Sequence, residues 1–156
     1  MIKKNFSLLE VLTALVIVSL LTISIGEIFL VVHNSWLNQK NTMEAIKDAY
    51  WALNILCYEL RQSFTSPLIN PTHLSFYLDS NGDQIQDTQI EYWWNTTQLR
   101  RRQRNTGGGW SRWEVLIDNL DSFSIRNTTG KFYLIQLGIT KGKKNIHFQI
   151  GARRRN

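Results

Sequence analysis

The strongest pattern in the chain is a nearly unbroken apolar run near its start. Residues 6–32 are almost wholly apolar, with Glu10 and Glu27 as their only charges. The charge-free part, residues 11–26, is shorter than the ~20 residues that usually span a membrane. Adding residues 6–9 supplies the length and places Glu10 inside the span. The run predicts a membrane-spanning helix, and Lys3 and Lys4 before it predict a cytoplasmic N-terminus.

A second pattern follows in residues 33–63, where apolar residues recur at alternating steps of three and four. This is the period of one face of a helix. The stripe consists of Met43, Ile46, Tyr50, Leu53, Cys57 and Leu60. The charged residues of the segment, Glu59 among them, lie mostly off it. We therefore expect one helix over residues 6–63, whose amphipathic second half packs on a globular domain. A short coiled-coil seam is the alternative.

Beyond Pro67 and Pro71, which end the helix, the pattern changes to short strands bounded by turn residues. Strands are predicted at residues 73–79, 89–94, 97–103, 113–117, 122–126, 132–140 and 145–150. A helix followed by antiparallel strands is an α+β order. The sequence thus predicts a long N-terminal helix on an antiparallel β-rich globular domain over residues 64–156.

Composition narrows the chemistry. The 156 residues are 43% hydrophobic, enough for a folded core, and a net charge of +6 points to anionic partners such as lipid headgroups or nucleic acid. The single cysteine, Cys57, excludes an internal disulfide and a thiolate cluster, and the three histidines lack ligand spacing. Neither a nucleophile motif nor a phosphate-binding glycine loop is present. We therefore expect no enzyme activity, cofactor or metal.

Two ordinary explanations of the N-terminus fit it poorly. A secretory signal peptide ends in a small-residue cleavage site, and none follows this apolar run. A simple signal anchor explains the apolar run but leaves Glu10 unexplained. An acidic residue in a membrane helix is costly and is usually kept for a function.

The segment from Phe6 to Leu15, which begins Phe6-Ser7-Leu8-Leu9-Glu10, resembles the N-terminal signature of type IV pilins and type II secretion pseudopilins. In that family a prepilin peptidase removes a short basic leader, and the new N-terminal phenylalanine is methylated. The resemblance implies a leader at residues 1–5, cleavage between Asn5 and Phe6, and methylation of Phe6. The family has glycine before the cut where this chain has Asn5.

The same resemblance assigns Glu10 to assembly. Cleavage would leave a new ammonium group on Phe6 in apolar surroundings, and a buried lone charge costs several kcal/mol unless it is paired. Glu10 of one subunit would pair with Phe6 of a neighbour in a filament. The alternative is that the Glu10 side chain extends to the lipid headgroups.

The order of motifs after the apolar run resembles J-type minor pseudopilins, W-type minor pilins and competence pseudopilins. It comprises the helix end at residues 58–62, the strand around Phe76, the turn at 79–83, Ile90-Glu91-Tyr92, Leu99-Arg100-Arg101 and residues 115–120. It implies a pilin-like fold and a minor subunit that assembles into, initiates or caps a secretion pseudopilus or type IV pilus.

The resemblance also implies a location and partners. The location would be the bacterial inner membrane, crossed once, with the C-terminal domain outside the cytoplasm or at a filament tip. The partners would be the prepilin peptidase, other minor pseudopilins or pilins, the major subunit, the inner-membrane assembly platform and membrane lipid.

One turn has calcium-loop spacing. Asp79, Asn81, Asp83 and Asp87 stand at loop positions one, three, five and nine. Gln84, however, replaces the sharp-turn glycine, and Ile90 replaces the bidentate acid. Asn81 is also followed by Gly82, which is a strong hairpin signal. The sequence favours a hairpin turn over a calcium site.

Two arginine clusters raise the question of nucleic acid. Arg100, Arg101, Arg102 and Arg104 lie near Trp93, Trp94, Trp110 and Trp113 in sequence, and Arg153, Arg154 and Arg155 lie just before the last residue, Asn156. Arginines with aromatic residues are typical of proteins that hold single-stranded nucleic acid. The alternative function is therefore a DNA-binding minor pilin of a competence pilus. A solvated strand face and a basic tail are the simpler interpretations, and the sequence favours them.

Overall fold

The computed structural model describes residues 7–79, 85–141 and 144–154. Helix α1 runs from Leu8 to Gln62, which confirms the predicted helix within the described residues. The chain divides into two compact units, residues 1–40 and 41–156, so α1 contributes to both. Each unit is described by itself below.

In the first unit, α1 presents its apolar side chains outward. Leu8, Ile25 and Phe29 are 86%, 66% and 67% exposed. The helix is long and apolar enough to cross a membrane. Its hydroxyl groups bond to carbonyl oxygens one turn back, as Thr22 Oγ1 does to Val18 O at 2.8 Å and Ser24 Oγ to Leu20 O at 3.0 Å. These polar groups are therefore satisfied within the helix, which an apolar solvent requires.

The second unit adds eight strands to the end of α1. Their bounds are β1 Leu68–Asn70, β2 His73–Leu78, β3 Thr88–Trp94, β4 Gln98–Asn105, β5 Glu114–Asp118, β6 Leu120–Asn127, β7 Phe132–Lys141 and β8 Lys144–Arg153. Strands β2 to β8 correspond to the seven predicted strands. Strand β1 was not predicted, because three residues between two prolines are too short to show a period.

The strands form two antiparallel sheets in chain order, β1-β2-β3-β4-β5 and β6-β7-β8. Asn119 lies between β5 and β6 with φ near 65°, a left-handed conformation that asparagine tolerates better than most residues. Its carbonyl accepts a hydrogen bond from Thr140 N at 3.1 Å. This residue therefore marks the passage from one sheet to the other. The coarse prediction, an α+β chain with an N-terminal helix packed on antiparallel strands, is confirmed.

The core of the second unit joins the end of α1 to both sheets. Leu56 and Leu60 of α1, Phe76 and Tyr92 of the first sheet, and Ile135 of the second are at most 1% exposed. Trp94 of β3 contacts Phe123 of β6 edge to face, with ring centroids 4.8 Å apart. Aromatic contact thus ties the two sheets together across the core.

The predicted stripe on α1 is right at Leu53, Cys57 and Leu60, which are buried, and wrong at Met43 and Tyr50, which are 66% and 56% exposed. The packed face instead includes Ala49, Ala52 and Leu56, all fully buried. Small alanines let a helix approach its neighbours closely, so they can form the contact face without adding to a hydrophobic pattern of large residues. Tyr50 lies at the margin, edge to face with Phe148 at 5.3 Å.

Candidate functional site

The start of α1 is closed by a reciprocal capping box between Ser7 and Glu10. Ser7 N donates to Glu10 Oε2 at 3.0 Å, and Glu10 N donates to Ser7 Oγ at 3.2 Å. Ser7 Oγ also donates to Glu10 Oε2 at 3.3 Å. The Ser-x-x-Glu spacing is the sequence signal for this box, and neither interpretation of Glu10 given above included it. Glu10 therefore has a local role in capping the N-terminus of the helix.

This box holds the Glu10 carboxylate at the positive end of the helix. Unpaired N–H groups and the helix dipole favour a negative charge in the first turn. The carboxylate is directed back to Ser7, the residue that follows the predicted new N-terminus. Asn5 and Phe6 lie outside the described residues, so cleavage and methylation stay predictions.

A buried polar cluster, consisting of Glu59, Tyr92 and Arg101, links α1 to strands β3 and β4. Glu59 is 6% exposed and accepts hydrogen bonds from the Tyr92 hydroxyl and from Arg101. Arg101 Nε lies 3.0 Å from Glu59 Oε1. The sequence placed Glu59 off the packed stripe and Arg101 in the basic cluster, and both placements are corrected here. Alternation along β4 sends Arg101 to the opposite face from Arg100 and Arg102.

Burial and charge together set the protonation of this cluster. Burial raises the pKa of Tyr92 well above its usual range, and the adjacent Glu59 charge and hydrogen bond raise it further. For Arg101 burial acts to lower the pKa, but the interactions with Glu59, together with those with Tyr92, outweigh burial and the pKa is raised. Tyr92 thus remains a neutral donor and Arg101 a cation. The cluster satisfies its own charges in the core, which indicates a structural role.

On the outer side of the first sheet, arginines and tryptophans stack in a row that we call the Arg–Trp face. It consists of Trp93, Arg100, Arg102, Arg104, Trp110 and Trp113. The Arg102 guanidinium carbon lies 4.2 Å from the Trp110 ring centroid and 4.4 Å from that of Trp113. Arg104 lies 4.8 Å from Trp110, and Arg100 lies 5.5 Å from Trp93. These are cation–π distances.

The same arginines donate hydrogen bonds to side chains of β3 and β4. Arg102 bonds to Glu91 Oε2, through Nε at 2.7 Å and Nη2 at 2.6 Å. Arg104 Nη2 donates to Gln89 Oε1 at 2.7 Å. Arg100 Nε donates to Gln98 Oε1 at 2.8 Å. The guanidinium groups are therefore held in place.

The predicted association of arginines with tryptophans is correct for three of the four tryptophans. Trp94 is 6% exposed and points to the core with Phe123, on the opposite side of β3 from Trp93. Adjacent residues of a strand point to opposite faces, so the side chains of Trp93 and Trp94 must lie on opposite sides of β3. The sequence interpretation had placed both together.

The turn with calcium-loop spacing joins β2 to β3. These strands pair as far as Leu78 with Thr88, and Asp87 N donates to Leu78 O at 3.1 Å, so a β-hairpin is present. Asn81 and Asp83 lie outside the described residues. Among the residues that the structure does describe, no group of three or more His, Cys, Asp or Glu side chains could hold a metal ion.

The basic C-terminus is partly tied to the second unit. Arg154 N donates to Lys131 O at 2.8 Å, and Arg154 Nη1 donates to Ser66 Oγ at 3.0 Å. Arg155 lies outside the described residues. The second arginine cluster is therefore engaged, in part, with the globular unit.

No protein-family model, curated protein or solved structure matches this chain. Its function must therefore be argued from the residues and contacts above.

Proposed function

We propose that this chain is a minor pseudopilin or minor pilin subunit that assembles into, initiates or caps a short membrane-rooted filament. The observation that carries the proposal is the first part of α1. It begins at the Ser7–Glu10 cap and presents an apolar surface on all sides. The same helix continues without interruption to Gln62, where its last turns pack on a folded β-rich unit.

An apolar surface of this extent needs an apolar environment. A helix that is hydrophobic all round is suited to a membrane or to the centre of a helical bundle. A pilin-like subunit uses both, lipid before assembly and neighbouring helices afterwards. Within the described residues α1 is the one helix long and apolar enough to cross a membrane, and together with the preceding lysines it supports a single-pass protein with its C-terminal domain outside the cytoplasm.

In this proposal Glu10 has a second role besides its cap. The capping bonds described above involve Oε2, and a carboxylate has two oxygens that accept hydrogen bonds. After leader removal the Phe6 ammonium of an adjacent subunit would pair with this carboxylate. Such a head-to-tail contact is heterologous and generates a helical rise instead of a closed ring.

The test is leader processing. The full chain is co-expressed with a prepilin peptidase and its intact mass is measured. We expect loss of residues 1–5. The matched variant Asn5→Gly supplies the residue that the family has before the cut, and we expect it to be processed at least as completely.

Two further outcomes separate failure of the proposal from an effect of Asn5. If both the natural chain and Asn5→Gly keep the leader while another prepilin is cut in the same cells, the proposal is wrong. If Asn5→Gly alone is cut, Phe6 and Glu10 are recognised and Asn5 is the obstacle.

A further inference from the structure

We infer that the Arg–Trp face binds the phosphodiester backbone of single-stranded nucleic acid. The inference goes beyond the proposed assembly role and does not depend on it. It rests on the spacing of three arginines along one strand, on the way those arginines are held, and on the charge and exposed rings of the face.

Strand β4 places the three arginines in a row. Arg100, Arg102 and Arg104 alternate with residues that point the other way, so successive guanidinium groups are carried at about 6.7 Å intervals along the strand. Their cross-strand partners on β3 are Trp93, Glu91 and Gln89, which confirms that all of them share one face. A linear anion with regularly repeated charges matches such a row.

The guanidinium groups are held before any ligand arrives. Arg102 is enclosed by two tryptophan rings, and the Trp110 ring also contacts Arg104. Each guanidinium has five N–H donors, and the hydrogen bonds described employ two nitrogens of Arg100, two of Arg102 and one of Arg104. Because the side chains are already ordered, less conformational entropy is lost when phosphates bind.

The face carries an excess of positive charge. Glu91 compensates Arg102, whereas Arg100 and Arg104 bond to the neutral amides of Gln98 and Gln89. His73 lies 3.7 Å from the same Glu91 and would add charge only when protonated. The Gln98 amide in turn donates to Asp118 Oδ1 at 2.6 Å, so three arginines stand against two carboxylates, and guanidinium groups suit phosphate oxygens well.

The tryptophans favour nucleic acid over an acidic protein. Trp113 is 37% exposed, with Arg102 as its ring partner described here. A base stacked on an aromatic ring is a sequence-tolerant contact that single strands can make and duplexes, with their bases stacked inside, cannot. The carboxylates of an acidic peptide would pair with the arginines but would make no stacking contact with the tryptophan ring.

The experiment measures binding of a fluorescently labelled oligothymidylate to the full chain in detergent, by anisotropy at several salt concentrations. The test variant is Arg100→Gln with Arg104→Gln, which leaves Arg102 and Glu91 paired. The matched control is Arg126→Gln with Arg153→Gln, which removes two exposed arginines from the other sheet.

We expect the test variant to bind at least about tenfold more weakly, and the control to stay within about twofold of the natural chain. The slope of log affinity against log salt should become shallower by about 1.4, because two phosphate contacts are lost on a single strand. Trp113→Ala should weaken oligothymidylate binding by about tenfold and leave the salt slope unchanged.

Several results would overturn the inference. They are no binding at low salt, an equal loss in the control variant, or competition by polyglutamate as effective as competition by unlabelled oligothymidylate. The last would point to an acidic protein partner. Thermal melting of each variant separates a loss of binding from a loss of folding.

Discussion

The two halves of helix α1 both carry apolar residues, but only the second half buries them. From Leu8 to Leu37 the large apolar side chains are between 38% and 86% exposed. Near the other end Ala49, Ala52, Leu56 and Leu60 are fully buried. The first half is apolar on all sides and so has no single face to direct at a core, whereas the second has one. One helix thus has an exposed apolar surface in its first half and a buried packing face in its second.

The two glutamates of these halves show the same contrast. Glu59 is buried and satisfied within the chain by Tyr92 and Arg101, which come from strands far away in sequence. Glu10 is exposed, and its carboxylate accepts its described hydrogen bonds from Ser7 in the same turn of helix. A charge neutralised in the core indicates a structural role. A charge held at an exposed helix end is suited to a contact with another molecule.

The largest expected effect comes from removing the internal partner of Glu59. Arg101→Ala leaves a buried carboxylate without its cation, so we expect a loss of about 3–5 kcal/mol in the free energy of unfolding. Denaturant titration in detergent measures it. Arg126→Ala, an exposed arginine of β6, is the control and should stay within about 0.5 kcal/mol. A loss below about 1 kcal/mol at Arg101 would show that the buried pair is not formed.

Leucine truncations in the two halves test the comparison directly. Leu53→Ala removes buried methylene groups and should cost about 2–5 kcal/mol in unfolding free energy. Leu21→Ala removes the same atoms where the side chain is 57% exposed, and the globular unit should unfold as before. Equal stabilities for the two variants would mean that the second half of α1 faces partners or solvent.

The Tyr92 hydroxyl should make stability depend on alkaline pH. Its pKa is raised in the folded chain, so its contribution is complete below the unfolded value near 10 and is lost as pH rises towards the folded pKa. In that pH range Tyr92 should contribute about 1.4 kcal/mol per pH unit to the slope of unfolding free energy against pH. Tyr92→Phe should flatten the profile of unfolding free energy against pH, and the exposed Tyr58→Phe should not. Parallel profiles for Tyr92→Phe and the natural chain would contradict this.

Substitutions of Glu10 should have the smallest effect on folding and a large one on assembly. Glutamine still completes a capping box, whereas alanine does not, so Glu10→Gln isolates the charge from the cap. Each should change the stability of the globular unit by less than about 0.5 kcal/mol. We expect Glu10→Gln and Glu10→Ala to insert into the membrane and to be cut normally, but to co-purify poorly with partner pseudopilins. If Glu10→Gln assembles like the natural chain, the ion pair is wrong and the cap is the main role of Glu10.

Local patterns were enough to predict much of this fold. The apolar run and the stripe after it predicted one helix, and period-two segments predicted seven strands close to their observed bounds. Alternation along β4 also carried the information that Arg101 and Arg102 must point to opposite faces. These features depend on backbone geometry over a few residues, which is why they can be recognised in the sequence.

Contacts between distant segments determined the buried polar cluster and the packed face of α1. Tyr92 and Arg101 contact Glu59 across 33 and 42 residues of chain, and a local sequence pattern cannot predict a partner at that distance. Which face of α1 packs depends on how closely the helix approaches the sheets. The small Ala49 and Ala52 form that face, whereas Met43 and Tyr50, which the pattern had placed there, are exposed. Burial is a property of the space between elements, and that space exists only once the helix and both sheets have packed.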